Sequence, residues 1–444
     1  MKLLESCRYI AFWFIGAIRG GKVRKAYSLL KDIDSGKFND KEIASYHENA
    51  ITKLLLHARK TVNAYKGQAT LNLCDWPIVR KNDLKEDLDN HMSSDYSKEK
   101  LFVMSTSGST GIPFRCYQDV NKKRHVNAEV LYYNGLVNFK IGKRIIYFRS
   151  IVDEVAKSPF VQFLQNIRLI DCQNLSDEGI AKKLNEIAKC SANGRGMVLS
   201  YASTLDAFRK YFQKYGIEGA KDCKVYGIVS GSELLQDITR KTIEKAFGCK
   251  VVSRYANEEN GFLGQDDIDA NVFIPNRANY YIEILNLSSD EPANEGEVGR
   301  IVVTDLYNYA MPFIRYDTGD VGAWVETMHF GKKVKAIGKF GGRVVDMVFD
   351  TKGNQISPHT ITNNMWNFQG IEQYQFVQKD KTTYIIKLNI TDDIFKDEKQ
   401  LIEIFKEKLG SDAIIKIEYC NEIPVLASGK RRYIVNEMLL RKNL

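Results

Sequence analysis

Between residues 28 and 66 apolar positions recur at helical spacing, with Ile43, Tyr46, Ile51, Leu54, Leu55 and Leu56 predicting a helical face turned to a core. Trp76-Pro-Ile-Val-Arg-Lys81 then reads as a loop. From about residue 127 to 300 the pattern changes. Arg144–Phe148, Met197–Tyr201, Lys224–Val229 and Lys250–Ser253 are short apolar runs, and 179–190, 204–215 and 236–247 carry helical periodicity between them. Strands that alternate with helices predict a parallel sheet covered by helices, with ligands seated where strands pass into loops. After about residue 345 the order becomes strand (Thr382–Ile390), amphipathic helix (Ile394–Leu409), strand (Ile414–Tyr419), which fits a small separate α+β domain. The expected fold is therefore α/β, a large N-terminal domain of helix-covered sheets plus a small C-terminal α+β domain. The expected divisions are 1–27 (an apolar and basic N-terminal helix), 28–345 and 346–444. No internal repeat or low-complexity tract interrupts it.

The N-terminal run Tyr9-Ile-Ala-Phe-Trp-Phe-Ile-Gly-Ala-Ile18 is bracketed by Arg8 and Arg19 and followed by Lys22, Arg24 and Lys25. Ten residues are too few to span a bilayer as a helix. Arg19-Gly-Gly-Lys22 is a poor signal-peptidase site. Two readings stand: a helix packed on the body of the protein or on a second subunit, and a helix lying among lipid headgroups, where Trp and Phe beside basic residues are at home.

Composition narrows the class. A chain of 444 residues suggests about two or three domains. With 44% hydrophobic and 27% charged residues, a core can form without metals or disulfides. The eight cysteines show no CxxC and no close Cys/His spacing, so they read as reduced thiols of a cytoplasmic protein. The net charge of +9 comes from 64 basic and 55 acidic residues spread along the chain, an excess that suits anionic ligands or a membrane surface without specifying nucleic acid. No nucleic-acid partner is expected.

Chemistry concentrates first in Met104-Ser-Thr-Ser-Gly-Ser-Thr-Gly-Ile-Pro-Phe114. Gly108 and Gly111 let the backbone turn close to a ligand, and the hydroxyls of Thr106, Ser107, Ser109 and Thr110 can donate to phosphate oxygens. A Walker A loop would end in Gly-Lys-Ser/Thr, and Phe114 stands near that place instead. Alone, the string reads equally as a flexible Ser/Gly loop. Ile314-Arg-Tyr-Asp-Thr-Gly-Asp320 places a carboxylate after a glycine turn, able to accept from a ribose diol or to serve as an ordinary turn. Gly341-Gly-Arg-Val-Val-Asp346 offers a guanidinium and a carboxylate, and Ser428-Gly-Lys430 is followed by Arg431 and Arg432. Their plain readings are a surface ion pair and a solvated basic face.

In order and spacing, these segments together with Tyr255-Ala-Asn-Glu-Glu259 resemble the core motifs of adenylate-forming enzymes. Within that superfamily the chain looks most like the phenylacetate–CoA ligase branch, and especially the CapK-type proteins associated with capsular polysaccharide biosynthesis. Ser230-Gly-Ser-Glu233, Gly296-Glu-Val-Gly-Arg-Ile-Val-Val-Thr304 and Ala310-Met-Pro-Phe-Ile-Arg-Tyr316 add to the likeness, which covers about residues 45 to 444. The resemblance implies an AMP-forming ligase that activates a carboxylic acid with ATP and passes the acyl group to CoA or to a sugar amine or hydroxyl. Thr106, Ser107, Gly108, Ser109, Thr110 and Gly111 would hold the β- and γ-phosphates. Ser230, Gly231, Ser232 and Glu233 would line the adenine, with Tyr255 against its face. Glu259 would hold Mg²⁺, Asp320 the ribose hydroxyls, and Arg343 ribose or phosphate. Asp346 would be the hinge, and Lys430, on a mobile small domain, the lysine of the adenylation step.

Such chemistry suits these residue types. A carboxylate attacking the α-phosphate brings two anions together, so cations must offset the repulsion, and an acid already ionised near neutral pH needs no general base. A lysine on a small second domain makes closure a condition for reaction. Ala256 and Glu258 stand where the motif commonly has Gly and Ser/Thr, which leaves Glu258 as an alternative metal ligand. Residues 260–285 contain no Cys or His, so no zinc is expected. Tyr147, Phe148 and Arg149, with Ser200, Tyr201 and Ser203, are candidates for the acyl pocket. Arg149 reads either as a partner for a second anionic group or as a strand-end arginine facing solvent. A homo-oligomer, contact with the inner membrane face, and a non-catalytic nucleotide-binding role in a polysaccharide assembly system all remain open.

Overall fold

The computed structural model describes residues 2–106, 114–149, 158–172, 174–192, 194, 196–232, 234–267, 272–343, 348–353, 355–356, 361, 364–365, 368–391, 394–423 and 433–438. The chain divides into two compact units, Met1–Glu283 with Val302–Asp317 and Val325–Gly338, and Ile284–Ile301 with Thr318–Trp324 and Lys339–Leu444.

The first unit opens with helices α1 (Lys2–Ile18), α2 (Lys22–Asp34) and α3 (Asp40–Thr61). The span expected to be helical thus breaks at 35–39, where Gly36 turns with φ +74°. Asn39 then starts α3 with a capping box, accepting from the Glu42 N–H while the Glu42 carboxylate accepts from the Asn39 N–H. Ile43, Ile51, Leu54 and Leu55 are buried, but Leu56 is 43% exposed. At 100° per residue it falls on the far side of the helix from the stripe formed by 51, 54, 55 and 58.

After the short α4 (Lys81–Glu86), strands β1 (Phe102–Thr106) and β2 (Phe114–Gln118) form an antiparallel hairpin in which Thr106 faces Phe114. Helix α5 (Val120–Leu136) follows, with Asp119 as its N-cap. The predicted strands and helices are present with boundaries shifted by a residue or a few, and α6 and β4 are added between the first two predicted strands: β3 (Arg144–Arg149), α6 (Pro159–Gln165), β4 (Ile167–Asp171), α7 (Asp177–Ser191), β5 (Gly196–Tyr201), α8 (Ala202–Tyr215), β6 (Val225–Gly231), α9 (Asp237–Phe247) and β7 (Val251–Asn257). The five strands lie parallel in the order β4-β3-β5-β6-β7. Their burial explains their near-continuous apolar sequence, since Ile146, Phe148, Val198, Ile228 and Val251 share one core with Leu184, Leu205, Phe208 and Ile243 of the helices. Antiparallel strands β8 (Gly261–Asp266) and β9 (Phe273–Pro275) extend the sheet beyond β7. Strands β10 (Tyr280–Leu285), β11 (Gly299–Asp305), β12 (Tyr316–His329) and β13 (Lys332–Arg343) each carry residues of both units.

In the second unit come β14 (Val348–Phe349), β15 (Gln355–Ile356), β16 (Ile371–Gln378), β17 (Thr383–Ile390), α10 (Glu398–Leu409), β18 (Ile414–Tyr419) and β19 (Ile434–Asn436). The sheet order β18-β17-β16-β19 places α10 over Phe376, Ile386 and Leu388 through Leu401, Phe405 and Leu409. Helix α10 starts four residues later than its apolar pattern suggests. Asp397 occupies the N-cap position and Glu398 the first turn, where a carboxylate is favoured by the helix dipole, while Ile394 is left exposed. Among the described residues no helix is long and apolar enough to cross a membrane.

One contact in the first unit makes stability depend on pH. The His329 ring is 3.2 Å from Asp34 at the end of α2 and 3.2 Å from Asp267 after β8. Burial opposes its charge, but hydrogen bonds to the two carboxylates outweigh burial and raise its pKa above 6.5. A raised folded-state pKa contributes stability that is complete below the unfolded value and lost as pH rises through the folded value. The excess thermal stability of wild type over His329→Gln is therefore expected to shrink steadily from pH 6 upward. A gap that stays constant to alkaline pH would contradict this ion-pair role.

Candidate active site

The parallel strands bring several candidates to one edge because their register aligns their carboxyl ends. Ser200 pairs with Ser230 and Ser230 with Ser253, so three serines form a rung across β5, β6 and β7. All three residues are buried, and the Ser230 hydroxyl has no hydrogen-bond partner among the described residues. One position on, Tyr201 pairs with Gly231. Ser232 follows with φ +68°, an uncommon conformation for a residue with a side chain. Tyr147 and Arg149 end β3 at the same edge, with the Arg149 guanidinium 5.4 Å from the centre of the Tyr147 ring. Arg149 is half-buried and its Nε has no partner among the described residues, so the expected solvent-facing arginine is not what the fold presents. Tyr255 on β7 is 4% exposed, with its ring packed on Phe273.

Where β7 turns into β8, residues 258–260 place Glu258 outward and Glu259 inward. Glu259 Oε1 accepts from Lys81 Nζ at 3.0 Å and from the Tyr316 hydroxyl at 3.2 Å. Gln118 of β2 donates to the Glu259 carbonyl at 3.3 Å. The turn is built from behind. Gly261 has φ +118°, and a Cβ there would lie 2.6 Å from Glu129 Oε2 and 2.9 Å from the Tyr280 hydroxyl, so only glycine fits. That hydroxyl lies 2.7 Å from the Asn260 carbonyl and 2.9 Å from Glu129 Oε1. Lys122 closes the cluster, 2.9 Å from Tyr280 and 2.6 Å from Asp305, with both members of the ion pair at 0% exposure. Burial raises the pKa values of Glu129 and Asp305, partly offset by Lys122.

Lys81 reaches Glu259 because the preceding segment is a strand-like staple. Trp76 is 1% exposed, and Val79 exchanges backbone hydrogen bonds with Arg315 and Asp317. Arg315 holds the other side. In a left-handed conformation (φ +47°), it binds both oxygens of Glu283 at 3.0 and 3.3 Å and the carbonyls of Cys74 and Trp76. This locks Tyr316 toward Glu259. Lys81 also lies 5.3 Å from the centre of the Phe114 ring, at the start of β2. A cation therefore stands beside the residue where a loop lysine is missing. Sequence reasoning missed Lys81 and Tyr316, because Lys81 and Glu259 are 178 positions apart and neither pattern nor spacing links them.

Asp320 and Arg343 fall in the second unit. Asp320 is half-buried after Gly319 (φ +74°), its N–H donating to Thr318 Oγ1 at 3.1 Å. Arg343 ends β13, and its side chain lies outside the described residues, as do the side chain of Thr106 and the whole of Ser107, Gly108, Ser109, Thr110, Gly111, Glu233, Asp346 and Lys430. Among the described residues no three His, Cys, Asp or Glu side chains cluster as a metal site. A single carboxylate nonetheless suits Mg²⁺ that arrives on nucleotide phosphates, because this ion needs only one or two protein carboxylates. Both donors to Glu259 fall on Oε1, which leaves Oε2 outside that pair.

Comparison with known proteins gives a consistent picture. Residues 348–437 match the CapK C-terminal domain family. The chain is 24% identical to Protein CapK of Staphylococcus aureus over 413 residues, 90% of this chain and 86% of that protein. It is 26% identical to the phenylacetate-coenzyme A ligase of Thermus thermophilus over 232 residues, 50% and 48% of the two chains. In structure it resembles 2-hydroxyisobutyryl-CoA ligase in its postadenylation state, with TM-score 0.64, 13% identity and 91% of each chain covered. An ATP-bound RpMatB-BxBclM chimera gives TM-score 0.53 at 16% identity, covering 79% of this chain and 69% of the other. The chain is thus similar in sequence to Protein CapK and to phenylacetate-coenzyme A ligase, and its fold is that of the adenylate-forming ligases.

Proposed function

We propose that this protein is an AMP-forming ligase that converts a carboxylic acid and ATP to an acyl-adenylate and pyrophosphate, then transfers the acyl group to CoA or to a sugar amine or hydroxyl in cell-surface polysaccharide synthesis. The observation that carries this reading is the buried Glu259 carboxylate, met by Lys81 and Tyr316 at the carboxyl edge of the sheet and beside the end of the hydroxyl-rich segment. Proteins of similar fold support it: 2-hydroxyisobutyryl-CoA ligase has been solved with 2-HIB-AMP and CoA, and the RpMatB-BxBclM chimera with ATP.

In this reading Thr106 to Gly111 hold the phosphates, and Ser230 to Glu233 with Tyr255 and Asp320 hold the nucleoside. Glu259 would hold Mg²⁺, whose positive charge offsets the phosphate oxygens. Lys81, paired with Glu259 here, would turn its ammonium to the phosphates, while Arg343 and Lys430 add charge at the reacting centre. Tyr147, Arg149 and Tyr201 line the acid, Asp346 is the hinge, and the small domain begins near 346. The protein works in the cytoplasm, at the inner face of the membrane.

Carboxylate-dependent exchange of labelled pyrophosphate into ATP tests the reading across a panel of acids. Exchange with at least one acid is expected. Binding of ATP without exchange across the panel, and without adenylate in the purified protein by mass spectrometry, would instead favour a non-catalytic accessory role. Lys81→Met is expected to slow exchange about tenfold to a hundredfold, as for loss of one charge donor, with Lys81→Arg recovering part of the rate. Unchanged exchange in Lys81→Met would remove Lys81 from the site.

A further inference from the structure

Helix α1 carries its apolar side on the outside. The face turned to the rest of its unit holds Glu5, Arg8, Trp13 and Gly16, all half-buried. The opposite face is Leu3, Cys7, Ile10, Phe14 and Ile18, at the three- and four-residue steps of a single helical stripe, and every one of them is exposed. Exposure reaches 64% at Ile10, 65% at Phe14 and 71% at Ile18. Between residues 3 and 18 the only charged side chains, Glu5 and Arg8, are on the inner face.

A second element continues this surface. Arg8 donates to the Phe163 carbonyl of α6 at 2.8 Å, with its guanidinium 5.2 Å from the centre of the Phe163 ring. Helix α6 in turn exposes Phe160 (69%), Phe163 (59%) and Leu164 (52%). No sequence pattern pointed to α6, whose apolar residues lie far from α1 along the chain. Past the end of α1, Arg19, Lys22, Arg24 and Lys25 are all exposed. Residues 1–25 hold six basic residues and one acidic residue.

We infer that α1 and α6 together form a docking surface for an anionic lipid bilayer, with α1 lying in the headgroup plane, α6 adding Phe160 and Phe163 beside it, and the basic residues meeting lipid phosphates. Charge decides between the two covers an apolar face of this size needs. In a symmetric pair of copies the same patch faces itself, so the basic rims would meet each other, and among the described residues of α1 and α6 the one acidic side chain is the half-buried Glu5. An anionic membrane supplies both the apolar layer and the opposite charge.

Flotation of the full chain with vesicles of phosphatidylcholine containing about a third phosphatidylglycerol tests this without nucleotide or acid, so its outcome is separate from that of the ligase reading. Wild type is expected to float with these vesicles and about tenfold less with pure phosphatidylcholine or in high salt. Phe14→Glu is expected to abolish flotation, and Phe160→Ser with Phe163→Ser to lower it at least about threefold with α1 intact. Unchanged thermal midpoints confirm that these exposed substitutions leave the fold alone. Flotation unaffected by the α6 pair would overturn the composite surface. Absence of flotation, with a concentration-dependent dimer in light scattering that Phe14→Glu dissociates, would show that a second copy is the cover.

Discussion

Lys122→Met is expected to lower the stability of the first unit by about 3 to 5 kcal/mol, the range found when one member of a buried ion pair is removed. Methionine fills nearly the same space, so the loss is electrostatic rather than a cavity. Asp305, at 0% exposure, would lose the ammonium 2.6 Å away, and its charge would have no counterpart in a site that water does not reach. The Tyr280 hydroxyl would lose its donor as well. Denaturant unfolding of the full chain measures the change. The double replacement Lys122→Met with Asp305→Leu is expected to recover much of it, because the uncompensated charge is then gone. A loss below about 1 kcal/mol in the single variant would mean that Asp305 is already neutral in the folded state. Since Tyr280 also backs the Asn260 carbonyl, the single variant should loosen the turn that carries Glu259.

Lys430→Ala is expected to reduce pyrophosphate exchange about a hundredfold or more, while leaving ATP affinity within a few-fold of wild type. Ser428-Gly-Lys430 resembles the adenylation lysine motif, and negative charge builds on the α-phosphate as a carboxylate attacks it. A group that meets charge present only in the transition state changes kcat and spares ground-state binding. Lys430→Arg keeps the charge but changes its shape, so partial recovery is expected. If Lys430→Ala keeps a third of the wild-type exchange rate, another cation performs this step. Lys81 would be the first to examine.

The parallel strands were legible because both their faces are covered, which leaves unbroken apolar runs such as Met197–Leu199 between helices of clear period. The strands after β7 were not. Strand β10, for example, mixes buried and half-buried positions without alternation, so neither a helical nor a two-residue period emerges. The hydroxyl-rich segment and Glu259 could be found by composition and order. Lys81 could not, because its role depends on a backbone staple between Val79 and residues 315–317 that no local pattern encodes. The N-terminal apolar run was plain in the sequence, yet only the fold reveals that its stripe faces outward and that α6 continues it.

The serine rung across β5, β6 and β7 has an evolutionary consequence. Valine or alanine at position 230 would suit a buried parallel strand better than a hydroxyl with no partner among the described residues. Lineages selected only for a durable fold should therefore drift away from serine there, whereas those that still use this edge should retain it. The identity of residue 230 across descendants of this protein thus records whether selection has continued to act on chemistry or only on the scaffold.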